Sequence, residues 1–223
     1  MYILYHHPLC PLSRQVRILF KEYNIDFTAI REDYWLRRTD FLKKNPAGTV
    51  PVLEAKNNLV IIGNYSIIEY INDTNDNFHL MPKEDLIIRA EIRNNVSWFN
   101  EKFFREVSKI LLDEKMVRLL MRIGSPRSNF IRAAKSNLQQ HLTLLNAKLK
   151  QHSCMVSDKI SCADIVAAAH ISVLDYFGEI HWDSWEMIKQ WYSIVKSRPS
   201  FQPILSDRIA GFPPPKHYSE LDL

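Results

Sequence analysis

Apolar positions in this chain follow one rule over residues 1–75 and another beyond residue 84. In the first part, short apolar runs alternate with helical stripes. Met1–Tyr5 is an apolar, aromatic run suited to a buried strand. After the breaker Pro8-Leu9-Cys10-Pro11, Ser13 is placed to cap a helix in which Val16, Leu19, Phe20 and Tyr23 recur at helical spacing. Arg14, Arg17 and Lys21 fall on the opposite face. Ile25–Ile30 reads as a second strand, and Tyr34–Lys44 as a short basic helical stretch ended by Asn45-Pro46-Ala47-Gly48. Val50–Glu54 and Leu59–Ile62 form a strand pair across the turn-like Lys56-Asn57-Asn58, and a helix follows over Tyr65–Asn72. The order is β-α-β-α-β-β-α, with the first two strands parallel and the last two antiparallel.

Asp73–Lys83, polar and closing on Met81-Pro82, reads as a linker. From Glu84 a long helix carries Ile88, Ile92, Val96, Phe99, Phe103 and Val107 on one stripe. Gly124-Ser125-Pro126 interrupts the next stretch. A helix over Asn129–Lys150 turns Ile131, Leu138, Leu142 and Leu145 inward. Ser161-Cys162-Ala163-Asp164 opens a helix rich in Ala and Ile, and Trp185–Lys196 is the last clear helix before Arg198-Pro199. The pattern divides the chain into an α/β domain (1–75), an all-helical domain (84–206) and a proline-containing tail (207–223). There is no internal repeat.

Composition narrows the classes. Over 223 residues, 46% hydrophobic and 24% charged content is ordinary for a globular protein. A net charge of +4 is far from the footprint of a nucleic-acid binder. No stretch approaches the ~18 apolar residues of a membrane span, and the N-terminus lacks the pattern of a signal peptide. The three cysteines, Cys10, Cys154 and Cys162, lack framework spacing and suit a reducing compartment. The expectation is a cytoplasmic protein with neither nucleic acid nor membrane as partner.

Several residues are candidates for chemistry. Cys10 stands between the first strand and first helix, where unsatisfied amides and partial positive charge favour a thiolate, with Arg14 and Arg17 pushing the same way. It is either a nucleophile for thiol chemistry or a small residue that closes the turn. Val50-Pro51 stands where thioredoxin-like folds place a cis-proline, a bond that presents the preceding backbone to a peptide-like ligand or simply shapes the loop. Ser161 and Asp164 have the spacing of a capping box, which is folding chemistry. His6 and His7 have no further ligand at metal spacing, so no metal site is expected. Trp35 and Arg37, in a segment too polar to bury all it carries, have the residue types of an interface anchor, although Trp35 equally suits a cover for the small domain's core. The tail, extended at Phe212-Pro213-Pro214-Pro215, either packs back on its own domain or offers itself to another protein.

Four blocks, Cys10–Arg17, Asn45–Pro51, Ser66–Ile71 and Ser161–Asp164, resemble the glutathione transferase superfamily in order and spacing across nearly the whole chain. The resemblance implies a thioredoxin-like N-terminal domain and an all-α C-terminal domain. It places Cys10 at the catalytic position of cysteine- and serine-type members, and Val50 with Pro51 where the backbone clamps the glutathione cysteine. Members that hold glutathione carry Glu or Gln followed by Ser ahead of the third helix, whereas this chain reads Gly63-Asn64. Asn64 can still donate to a carboxylate, but the acceptor for the ligand's ammonium is gone. Such a loss costs on the order of 1–3 kcal/mol, about one to two decades of affinity. No cofactor is required by this reading, and glutathione should bind weakly.

Trp98–Val107, Ala167–Tyr176, Lys196–Leu205 and Gly211–Leu223 are similar to a narrower group, the bacterial glutathione transferase-like division proteins that associate with the tubulin-like GTPase FtsZ. That likeness implies a homodimeric, non-catalytic scaffold on division filaments, with Trp35, Arg37 and Asp222 as contact candidates. The alternative is a glutathione-dependent transferase or thiol oxidoreductase using Cys10.

Overall fold

The computed structural model describes residues 1–75 and 79–220. The first domain holds β1 (Tyr2–His6), α1 (Pro11–Glu22), β2 (Phe27–Arg31), α2 (Thr39–Lys44), β3 (Val52–Glu54), β4 (Val60–Ile62) and α3 (Asn64–Thr74). Its sheet runs β2-β1-β3-β4. β1 and β2 are parallel, with Tyr2 opposite Phe27, while β3 runs antiparallel to both neighbours, with Leu53 between Leu4 and Ile61. The element order and strand directions are those the pattern predicts. Leu4 and Leu53 at the sheet centre are fully buried, as are Val16 and Phe20 of α1.

Helix α1 departs from its expected start. It begins at Pro11 with Cys10 as the flanking residue, so Ser13 lies inside the first turn. Proline is well suited to that first position because its missing N–H would have been unsatisfied there. The Ser13 hydroxyl instead accepts from the amide of His7 at 3.4 Å. The stretch expected as one helix over Tyr34–Lys44 is split: a single 3-10 turn covers Tyr34–Leu36, Arg37 is left-handed at φ 48°, and α2 starts at Thr39.

The second domain is helical. α4 is one continuous rod of five segments: Leu86–Ser97, Trp98–Ser108, Lys109–Leu112, Asp113–Val117 and Arg118–Leu120. The second and fourth are wide π-helical turns, an irregularity often found at functional sites. Asp85 caps the rod, accepting from the Ile88 amide at 2.9 Å. α5 (Ser128–Leu149), α6 (Cys162–Tyr176), α7 (Glu186–Lys196) and the short α8 (Gln202–Leu205) follow. Every residue of α6 is buried. Its Ala167, Ala168 and Ala169 have no bulk to hold neighbouring helices away, and α1 of the first domain packs along this helix. The two domains therefore share one hydrophobic core.

The start of α6 is held by the expected box. Asp164 Oδ2 accepts from both the amide and the hydroxyl of Ser161 at 2.8 Å. Its other oxygen takes the Met155 amide and the Trp191 indole, each at 2.8 Å, so the carboxylate also ties the preceding loop and α7 to this helix. Replacing Ser161 by Ala should cost about 1 kcal/mol, the usual worth of an N-cap, read as a shift in the denaturant midpoint.

Candidate functional site

The Cys10 turn is built by the end of β1 and the start of α1. The Cys10 amide donates to the His7 carbonyl at 3.0 Å, and the Cys10 carbonyl accepts from Ser13 and Arg14. The thiol is buried, and Sγ lies 3.9 Å from the Val50 carbonyl oxygen. Burial pushes the Cys10 thiol up from its ordinary value, against the opposing pull of the Ser13 hydroxyl and the Ser13 and Leu12 amides. The expected push toward a thiolate is therefore reversed. The helix N-terminus and the charge of Arg14 act as anticipated but are outweighed by burial, and Arg17 is engaged with Asp207.

The Val50–Pro51 bond is cis, as that position in the sequence suggests. Cys10, Leu12, Tyr34 and Val50 face Phe104 and Leu112 of α4 around a cavity of about 120 Å³. Clefts that take a drug-sized ligand usually measure ~300–1,000 Å³. Asn64 opens α3 directly after Gly63 (φ +83°) and is 7% exposed, and its side-chain nitrogen has no partner. That amide and the helix N-terminus suit a carboxylate. Gly63 brings no side-chain acceptor for an ammonium group, burial raises the thiol beside the cavity, and the hollow is small.

The contact candidates lie beside this turn. Trp35 is half-buried, its ring 5.0 Å from that of His7 and 5.1 Å from that of Tyr34. Arg37 is exposed, with its guanidinium lying over Gly48: a Cβ there would stand 3.0 Å from Nη1. Gly48 is itself left-handed at φ +66°, a conformation glycine takes without steric cost. Asp222, with Leu221 and Leu223, lies outside the described residues. Among the described residues no group of three or more His, Cys, Asp or Glu could hold a metal ion.

Two buried networks escaped the sequence reading. Arg14, assigned by periodicity to the polar face, is fully buried. It donates from Nε to the Pro8 carbonyl at 2.7 Å and from Nη1 to the Ser172 hydroxyl at 2.8 Å. Its Nη2 lies 3.5 Å from Asp207, and its guanidinium sits over the rings of Tyr176 and Tyr218. Asp207 also takes both Nη atoms of Arg17, at 2.8 and 3.0 Å. Asp207 and Tyr218 come from the tail, whose described part packs back on the helical domain and onto α1. The Tyr176 hydroxyl donates to the Phe212 carbonyl, Lys196 to the His217 carbonyl, and Tyr218 is fully buried.

The second network joins the domains through amides. Gln15 of α1 and Asn100 of α4 exchange hydrogen bonds at 2.9 and 3.1 Å. Asn100 also meets His170 Nε2 at 3.3 Å, and His170 Nδ1 meets the Ser108 hydroxyl at 2.9 Å. Burial drives His170 down to about 3, so it stays neutral. The only signal in sequence was polar residues set among apolar stripes, which names no partner.

Comparison with known proteins completes the description. Residues 9–74 match the family model for the glutathione S-transferase N-terminal domain, and residues 114–199 that for its C-terminal domain. The chain is 40% identical over 222 residues to FtsZ-localized protein A of Caulobacter vibrioides, covering 98% of this chain and 97% of that one. Among solved structures it is similar to FzlA from C. crescentus (TM-score 0.95, 40% identity, 100% of this chain and 99% of that chain). It is equally similar to a glutathione S-transferase from Sinorhizobium meliloti (TM-score 0.96, 39% identity, 100% of both chains).

Proposed function

The chain belongs to the glutathione S-transferase family, and on that premise we propose that it is a non-catalytic, dimeric scaffold that binds FtsZ filaments in the cytoplasm during cell division. The observation that carries this reading is the 40% identity, along 98% of the chain, to a relative whose name records its localisation to FtsZ. The buried thiol held neutral, the small cavity beside it and the absent acceptor at Gly63 support the non-catalytic part. Dimerisation would let one particle touch two filament sites and gain avidity without any new contact.

The test is co-sedimentation with FtsZ polymers. This protein should pellet with filaments well above an unrelated transferase, and Cys10→Ala should pellet like the parent. Arg37→Ala removes an exposed contact candidate and should weaken pelleting; Trp35→Ala should do so more strongly, with its folding checked because the ring is half-buried. Pelleting no greater than that of the unrelated transferase would sink the reading.

A second reading, a glutathione-dependent transferase or thiol oxidoreductase, is favoured by one observation: the unpartnered Asn64 amide at the start of α3. Calorimetry with glutathione separates the two. Submillimolar binding, with turnover lost in Cys10→Ala, would favour the enzyme; the expected result is neither.

A further inference from the structure

We propose that the tip of the α4–α5 hairpin is a contact surface for anionic lipid headgroups. The first observation is charge. Residues 115–157 carry eight Lys and Arg and no Asp or Glu, whereas the whole chain is only +4, so the remainder is net −4. Six of the eight, Lys115, Arg118, Arg122, Arg127, Arg132 and Lys135, lie at the tip or within about two turns of it, whereas Lys148 and Lys150 lie at the far end of α5. Glu114 answers Arg118 and Arg127, and Glu179 answers Lys115 and Lys135. Arg122 and Arg132 have no carboxylate partner among the described residues.

The second observation is exposure. Residues 119–130 are exposed without interruption. Within them Leu119, Leu120, Met121, Ile123 and Phe130 are each between 38% and 53% exposed, unusual for so many large apolar side chains in so short a stretch.

The third is that the tip is built rather than frayed. α4 ends in a Schellman turn: the Ile123 amide donates to the Arg118 carbonyl and the Arg122 amide to the Leu119 carbonyl, both at 3.1 Å. Arg122 takes the left-handed position at φ 55°, which is costly for a residue other than glycine. Arg118 closes the loop through the Ile123 and Ser125 carbonyls. In this motif the residue at the place of Ile123 usually tucks back against the helix, yet here Ile123 stands 53% exposed. The turn thus fixes apolar side chains outward among unpaired arginines.

Cations of one sign interleaved with aliphatic and phenyl side chains on a projecting turn match a lipid interface, where headgroups supply negative charge above an apolar layer. A protein hot spot would more often show Trp or Tyr. No described helix is long and apolar enough to cross a membrane, but contact of this kind needs no span. The proposal revises the sequence-based expectation of no membrane partner, which rested on spans. It does not depend on FtsZ binding.

The experiment is sedimentation of the full chain with vesicles of phosphatidylglycerol in phosphatidylcholine, against phosphatidylcholine alone. Pelleting should require the anionic lipid and weaken with salt. Each charge removed in Arg122→Gln and Arg132→Gln should lower partitioning about fivefold, and Ile123→Asp should abolish it, with melting temperatures near the parent's because these residues are exposed. As an independent readout, the emission of Ile123→Trp should shift to the blue only with anionic vesicles. Absence of pelleting, pelleting that survives these substitutions, or an unshifted emission would overturn the proposal. So would a tip that fails on vesicles while its variants lose binding to an acidic protein partner.

Discussion

Replacing Asp207 by Ala should destabilise the fold by about 3–5 kcal/mol, the typical loss when one partner of a buried ion pair is removed. Arg14 has no exposure to solvent, and Asp207 is the carboxylate that answers it. Without Asp207 the guanidinium keeps the Pro8 carbonyl, the Ser172 hydroxyl and two aromatic rings, none of which carries negative charge. Arg17 loses its bidentate partner at the same time. Urea denaturation reads the change directly. The double variant Arg14→Met with Asp207→Ala should recover a good part of the loss, because an apolar side chain in that slot leaves no charge uncompensated. A single-variant loss below about 1 kcal/mol would show the pair to be no more than a surface contact.

Acid should be the other large lever. His6, His7 and His170 are buried, and burial lowers them to about 4, about 3 and about 3 from an ordinary 6.5. A lowered histidine leaves the folded state neutral while the unfolded chain takes the proton, so stability is full above pH 6.5 and falls as pH drops toward the folded values. Between pH 7 and pH 5 each should cost about 2 kcal/mol, roughly 6 kcal/mol together, a large part of an ordinary domain's ~5–15 kcal/mol. Asp164 and Asp175, raised by burial, act in the opposite sense and soften the fall. Denaturant midpoints across this range should show the slope. His170→Gln should remove about a third of it. A flat profile from pH 7 to 5 would refute the prediction.

Much of the fold was legible because binary pattern and turn chemistry are local. The βαβαββα order, the Ser161–Asp164 box and the proline ahead of β3 all sit in short windows of sequence. Arg14 shows where that stops. Its spacing within α1 places it opposite Val16 and Phe20, and periodicity has no means of knowing that residues 172, 207 and 218 will close over it. Cys10 fails for a related reason: the helix end that favours a thiolate is local, whereas the burial that opposes it comes from the Val50 loop and α4. Ser13 was misread as a cap because Pro11, one of the breakers before it, is also a favoured first residue of a helix. Cys10 and Val50 do line one cavity, but the thiol there is raised by burial where the local helix end alone points to a lowered one.

The grip of Arg14 on Pro8 has a mechanical side. Asp207 and Tyr218, at the two ends of the described tail, both hold Arg14, and Arg14 holds the carbonyl two residues ahead of Cys10. A pull on the far end of the tail would be shared between this link and the anchors of Tyr218 on Ile204, His217 on Lys196 and Phe212 on Tyr176. The turn that carries the thiol and the tail are thus joined through a single buried guanidinium.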